Sequence, residues 1–364
     1  MADQTAVSDR EQKILGIIET ARGKRAKFRH KKINMSHGAG GKATQSLIEG
    51  VLVPAFGGDS LKEMGDAGIV SLGGIELAMT TDSYVVKPLR FPGGSIGELA
   101  VNGTANDLAV SGARPIALTL SLILEEGLDT ETLQLEVEAI ARTAKEAGVE
   151  IVAGDTKVVE RGHCDGMYIC TTGVGHRDPR ARLSPSSLRP GDRILLSGSI
   201  GEHGTAIMLA RNLFDLDASI ESDTRSLWPA VDALLEEVGP ELRCLRDATR
   251  GGVASVLNEL ARASSVAMLV REGAVPVDPA VAGASEILGI DPMYVANEGK
   301  FVAFVAPEAA ERALETLRKV DGCEDAAEIG EVRTEPPGMV LVETSFGGRR
   351  VMDQLVGDPL PRIC

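Results

Sequence analysis

From Ile33 onward, short apolar runs with alternating polarity and longer stretches with helical spacing succeed one another, which predicts an α/β chain rather than a helix bundle. The strongest strand signal is Ile116, Leu118, Leu120, Leu122 and Leu124 alternating with Ala117, Thr119, Ser121 and Ile123, a pattern that gives one strongly apolar face. Leu133, Val137, Ile140, Ala141 and Ala144 then recur at helical spacing, with Thr130 as N-cap and Gly148 as the stop. Strands are expected at 150–153 and 166–174. The stretch 178–192, with Pro179, Pro185, Pro190 and Gly191, offers little to bury and sets a domain boundary. Beyond it, strands are expected at 193–196, 266–270, 301–305 and 339–342, and helices at 202–212, 253–263 and 307–319. Before Ile33, the apolar Ile14, Leu15, Ile17 and Ile18 and the basic run from Arg22 to Lys32 read as a solvated arm. The expected organisation is an arm (1–32), two α/β domains (33–178 and 179–346) and a flexible tail (347–364).

Composition narrows the function. The chain of 364 residues carries a net charge of −15, which argues against nucleic acid or an anionic membrane as the main partner. No apolar run is long enough to span a bilayer and no secretory pattern opens the chain, so a cytoplasmic location is expected. The five cysteines, Cys164, Cys170, Cys244, Cys323 and Cys364, form neither a disulfide framework nor a Cys-x-x-Cys pair. The histidines give no triad, and His163-Cys164 lacks partners at zinc spacing.

The residues that carry chemistry sit beside glycines or at the ends of expected elements. In His37-Gly38-Ala39-Gly40-Gly41-Lys42, clustered glycines let backbone N–H groups approach an anion. Ser36 and Ala43 break the Walker pattern, so a phosphate loop and a plain flexible turn both stay open. Asp66, Asp82, Asp107 and Asp155 each end an element. Magnesium favours such oxygen ligands, and Asp82, Asp107 and Asp155 fit it; helix capping and turn formation are the alternative roles. Asp247-Ala248-Thr249-Arg250-Gly251-Gly252 runs into the amphipathic Val253–Ala263 stretch, so an anion suits the helix N-terminus and Asp247 suits its metal. Lys157 and Glu298 are the remaining polar groups beside glycines at strand ends. Last comes Cys364, on a tail that Pro359 and Pro361 stiffen and that reaches up to ~60 Å when extended.

Together, His37–Gly41, Thr80-Thr81-Asp82-Ser83, Asn106-Asp107, Ala153-Gly154-Asp155-Thr156-Lys157, Asp247–Gly252, Asn297-Glu298 and Pro361-Arg362-Ile363-Cys364 resemble the HypE family of carbamoyl dehydratases, which serve NiFe-hydrogenase maturation. The individual motifs are shared with aminoimidazole-ribonucleotide synthetase, selenophosphate synthetase and thiamine-phosphate kinase; the terminal cysteine narrows the resemblance, and the arm before Ile33 departs from it. The resemblance implies a two-domain PurM-like fold of α/β (α+β) class, with the first domain forming a β-barrel across a homodimer. It implies ATP held by Gly38, Gly40, Gly41, Lys42, Asp82, Asn106, Asp107, Asp155, Thr156, Thr249 and Gly251, and Mg2+ held by Asp82, Asp107, Asp155 and Asp247. It also implies that Cys364 takes a carbamoyl group from a HypF-type carbamoyltransferase, that ATP converts the thiocarboxamide to thiocyanate, and that cyanide passes to iron on the HypC and HypD complex. Lys157 and Glu298 would stand near the sulfur group for proton abstraction or charge stabilisation. Two other readings remain: another ATP-dependent amide-activating or phosphotransfer enzyme of the superfamily, which leaves the cysteine tail idle, or a non-catalytic thiol carrier, which leaves the acidic and glycine motifs without a role.

Overall fold

The computed structural model describes residues 28, 30–57, 65–211, 219–355 and 362–364. The amphipathic turn expected at 14–18, most of the basic run after it, and Pro359 and Pro361 lie outside the described residues. The first half carries β1 (Gly68–Leu72), β2 (Ile75–Tyr84), the small ribbon of β3 (Arg90–Phe91) and β4 (Gly94–Ser95), β5 (Ala113–Glu125), β6 (Glu150–Val159) and β7 (Met167–Arg177). The main sheet runs β1-β2-β7-β5-β6, antiparallel except for the β5–β6 pair. That parallel pair needs a crossover, which the helix Thr130–Ala147 supplies. Its N-cap is Asp129, one residue before the expected Thr130, and Gly148 ends it in the left-handed region at φ 68°.

One face of this sheet is covered by the Thr130–Ala147 helix and by the helix Ile96–Val110, which is buried almost all the way round. A helix enclosed on every side has no polar stripe, so periodicity does not announce it. The opposite face is open, with Met79, Ile116 and Val152 exposed. Ile116 is a correction: the β5–β7 register slips between Pro115 and Ala117, and this bulge turns Ile116 outward, so the inward alternation starts at Leu118.

The second half builds a sheet in the order β14-β13-β10-β12-β8-β11-β9 from β8 (Arg193–Leu196), β9 (Leu242–Asp247), β10 (Ala267–Arg271), β11 (Phe301–Val305), β12 (Ala327–Arg333), β13 (Val340–Glu343) and β14 (Arg349–Met352). Apolar residues project from both faces. Val253, Leu257 and Leu260 of the helix Gly252–Ala263 pack on Leu196, Val302 and Phe304. The helices Trp228–Val238 and Ala310–Leu317 pack on Leu195, Ala303 and Val305. Ala109 and Val110 of the first half belong to that second cluster, so the two halves share a core.

The tail does not begin where the sequence suggests. Residues 344–348 form the turn of a hairpin, closed by Thr344 N–H donating to the Gly348 carbonyl at 2.8 Å with Gly347 at φ 80°. β14 follows, paired antiparallel with β13. Met352 is fully buried beside Val340 and Val342, while Arg349 pairs with Glu343 and Arg350 with Glu272 and Asp291. The charged side chains hide a strand that buries one large residue.

Candidate active site

Where the two halves meet, Asp66, Asp107 and Asp247 bring one carboxylate oxygen each within 4.8 Å of one another. Asp107 lies near the end of the Ile96–Val110 helix, Asp247 ends β9, and Asp66 precedes β1. Thr80 donates to Asp107 at 2.7 Å, and Thr104 donates to Asp82 at 3.4 Å. Burial, and then the neighbouring charges of Asp82, Asp247 and Asp66, push the Asp107 carboxyl well above the usual range. Burial, and then Asp66, do the same to Asp247. Asp66 is pushed up to about 6, mainly by burial, against the pull of Arg246 at 2.8 Å. Hard oxygen donors with unbalanced negative charge are what a divalent cation requires, so the residues present fit one.

The glycine loop faces this cluster across Arg250, whose guanidinium donates to the Gly38 carbonyl at 3.1 Å. A Cβ on Gly40, which sits at φ 75°, would lie 2.9 Å from the Arg250 carbonyl. Asp82, Glu298 and the charge at Cys364 all act on Arg250 and favour its protonated state, Cys364 most strongly. Gly251, at φ 77°, caps the Gly252–Ala263 helix, and the Gly252 N–H closes the turn on the Thr249 carbonyl at 2.8 Å. Glu298 is buried, and burial followed by the Asp247, Asp223 and Asp82 charges raises its carboxyl well above the usual range.

The chain end occupies the same place. A cleft of about 380 Å³ is lined by Gly38, Gly41, Ser83, Arg250, Gly251 and Cys364, among others. The last three residues lie along the chain just beyond β2: Val85 N–H donates to the Cys364 carbonyl at 3.0 Å and Lys87 N–H to that of Arg362 at 3.4 Å. Ile363 is buried among Tyr84, Val86, Ile207 and Val295. Arg362 pairs with Asp165, and Arg211 donates to the Arg362 carbonyl.

Several expected site residues stand elsewhere. Asn106 is turned to backbone: it donates to the Arg225 and Glu298 carbonyls and accepts from Leu227 N–H at 2.8 Å, so its amide joins the two halves, with both N–H donors in use and one oxygen lone pair left. Lys42 turns to Asp353 at 2.7 Å, and its N–H meets the Leu355 carbonyl at 3.2 Å, so it holds the approach to the chain end. Asp155, Thr156 and Lys157 are exposed on β6, with Lys157 3.1 Å from Asp155. The strand registers place Asp155 in one row with Ser121, Cys170 and Ser83, three strand spacings or about 14 Å from Ser83. Its side chain shares Ser83's face of the sheet, opposite that of Asp82. Within one chain, therefore, the expected Asp82, Asp107, Asp155 and Asp247 set is replaced by Asp66, Asp107 and Asp247 with Asp82 alongside. The sequence flagged Asp66 only as a carboxylate beside a glycine; nothing local distinguishes it from a turn former. Arg250 was visible inside its motif, yet its facing Cys364 depends on the tail.

The sequence matches the AIR synthase related protein N-terminal domain over residues 64–176 and the C-terminal domain over residues 189–342. It is 49% identical over 340 residues to the carbamoyl dehydratase HypE of Azotobacter vinelandii, covering 93% of this chain and 99% of that protein. A crystal structure of a HypE–HypF complex is similar with a TM-score of 0.81 at 44% identity, covering 85% of this chain and 99% of the other. A HypE crystal structure in complex with ATP is similar with a TM-score of 0.77 at 45% identity, covering 92% and 100%.

Proposed function

Because this chain belongs to the HypE family of carbamoyl dehydratases, we propose that it dehydrates a carbamoyl group carried as a thiocarboxamide on Cys364 to a thiocyanate, at the expense of ATP. The observation that carries this reading is the seating of Cys364 in the same cleft as the glycine loop and Arg250. A carrier without catalysis would need neither the buried acidic cluster nor the loop beside it.

The oxygen of an S–C(=O)–NH2 group is a poor leaving group. Its attack on the γ-phosphorus of ATP forms an O–P bond and breaks the bond to ADP. Loss of two N–H protons, with the oxygen departing as phosphate, then leaves S–C≡N. Gly38, Gly40 and Gly41 give the phosphates close access to backbone N–H groups, and the N-terminus of the Gly252–Ala263 helix, with Thr249 and Gly251, adds donors. Asp82, Asp107 and Asp247, with Asp66 beside them, would hold Mg2+, which supplies charge neutralisation at the phosphates. Glu298 is the base on this reading, because burial makes its carboxylate a stronger proton acceptor than an exposed one. Arg250 balances negative charge beside the sulfur.

The open apolar face of the first sheet supports a homodimer in which two such faces meet as a β-barrel. It also gives Asp155 and Lys157, which the sheet separates from their own cluster, a place beside the partner chain's phosphates, with Thr156 between them on the edge strand. The similarity to a HypE seen with HypF supports a HypF-type carbamoyltransferase as the donor, and a HypC and HypD complex would be the cyanide acceptor.

Intact-mass measurement of the chain after incubation with such a transferase, carbamoyl phosphate and ATP tests the reading. Cys364 is expected to gain one carbamoyl group and then lose one water only when ATP is present, and Cys364→Ala should do neither. A carbamoylated chain that persists in the presence of ATP overturns it.

A further inference from the structure

His203, in the helix Glu202–Ala210, is fully buried and touches none of the acidic residues of the cluster by hydrogen bond. Its two ring nitrogens have distinct partners. Nε2 lies 2.7 Å from the backbone carbonyl of Ile363, and Nδ1 lies 2.8 Å from the hydroxyl of Ser222. A carbonyl only accepts, so the Nε2 proton must point to Ile363. Nδ1 is then an acceptor, which the Ser222 hydroxyl fills while its own oxygen accepts from Thr224 N–H at 3.2 Å. The Phe91 ring stands edge-on to the imidazole at 5.6 Å. A buried ring held from behind by a serine, with its single donor aimed at the residue before the reactive cysteine, is more than core filling. An apolar side chain would fill the volume without the two polar contacts.

We propose that His203 is a positioning residue for the chain end: its Nε2–H, oriented by Ser222, fixes the Ile363 carbonyl and so sets where the Cys364 sulfur sits in the cleft. The inference rests on the reading above only in taking Cys364 as the reacting thiol. Arg362 and Ile363 anchor the same segment through Asp165, Arg211 and the core, but among the described contacts His203 is the side chain that grips the peptide unit joined directly to Cys364.

The test uses the full chain and reads docking apart from chemistry. Limiting iodoacetamide, followed by mass analysis of the C-terminal peptide, gives the alkylation rate of Cys364 without ATP or transferase. His203→Leu is expected to raise that rate about tenfold, the loss of one well-aligned buried hydrogen bond. His203→Gln, whose amide can donate from nearly the same place, should stay near the wild-type rate. Dehydration of chain already carbamoylated should slow in His203→Leu and recover in His203→Gln. Equal alkylation rates in all three proteins overturn the proposal, whereas failure of the wild type to dehydrate overturns only the functional reading. Should His203→Leu not fold, histidine-selective 15N spectra carry the test. They should show the Nε2–H form of His203 in the wild type and a displaced signal in Ile363→Gly, whose docking is weakened; an undisplaced signal overturns the proposal.

Discussion

At the scale of single residues, the acidic cluster couples catalysis to stability with opposite signs. Asp107→Asn removes one ligand from the proposed metal site and relieves repulsion among buried carboxylates, so ATP-dependent dehydration should fall at least about a hundredfold while thermal stability holds or rises. The Asp66 carboxyl, raised from 3.8 to about 6 by burial, makes a pH prediction. A raised carboxyl binds its proton more tightly when folded, so its favourable contribution is present at low pH and is lost as pH rises through the folded value. Without divalent ions, stability should therefore decline between pH 4 and 6, by of order 1–3 kcal/mol for this group. Melting curves of Asp66→Asn should lack that share of the decline, and Mg2+ should offset it in the wild type. Asp107 and Asp247, which the fold brings together, were legible as candidates in the sequence because each stands in a recognisable motif. His203 was not: its meaning comes from Ile363, distant in sequence, and no local pattern marks it.

Among the elements, those whose burial is one-sided or bounded by glycine and proline were legible, as in the Thr130–Ala147 helix and β8. The Ile96–Val110 helix and β14 escaped for opposite reasons. The helix is enclosed on all sides and so lacks a period, and the strand has four residues of which only Met352 is deeply buried. β14 makes the boundary between tether and fold measurable. Met352→Ala should cost about 2–5 kcal/mol in denaturant unfolding, as expected for a large side chain removed from a closed core. The glycine loop is tied to the same region, because a Cβ on Gly41 would lie 2.5 Å from the Leu355 carbonyl. Gly41→Ala should therefore displace the chain leading to Cys364 and slow dehydration about tenfold or more, with Met352 still packed and the melting temperature little changed.

For the molecule as a whole, the open face of the first sheet sets the next expectation. Met79, Ile116 and Val152 are exposed across it, an arrangement that soluble chains usually cover. Met79→Lys should shift sedimentation from dimer to monomer, and a protein that is monomeric before the change would remove the basis for the barrel. The docked chain end has a different consequence, which shows when its contacts are added up. Burying Ile363 contributes about 2–3 kcal/mol, the hydrogen bonds from Val85, Lys87, His203 and Arg211 contribute about 1 kcal/mol each, and the Arg362–Asp165 pair up to about 1 kcal/mol. Ordering three residues costs about 1–2 kcal/mol apiece for backbone alone, with side-chain entropy in addition. The two sums agree to within a few kcal/mol, so neither the seated nor the released end dominates by many orders of magnitude. Such near-degeneracy lets a small change at the sulfur, the addition or removal of a few atoms, decide which end of its journey the cysteine occupies.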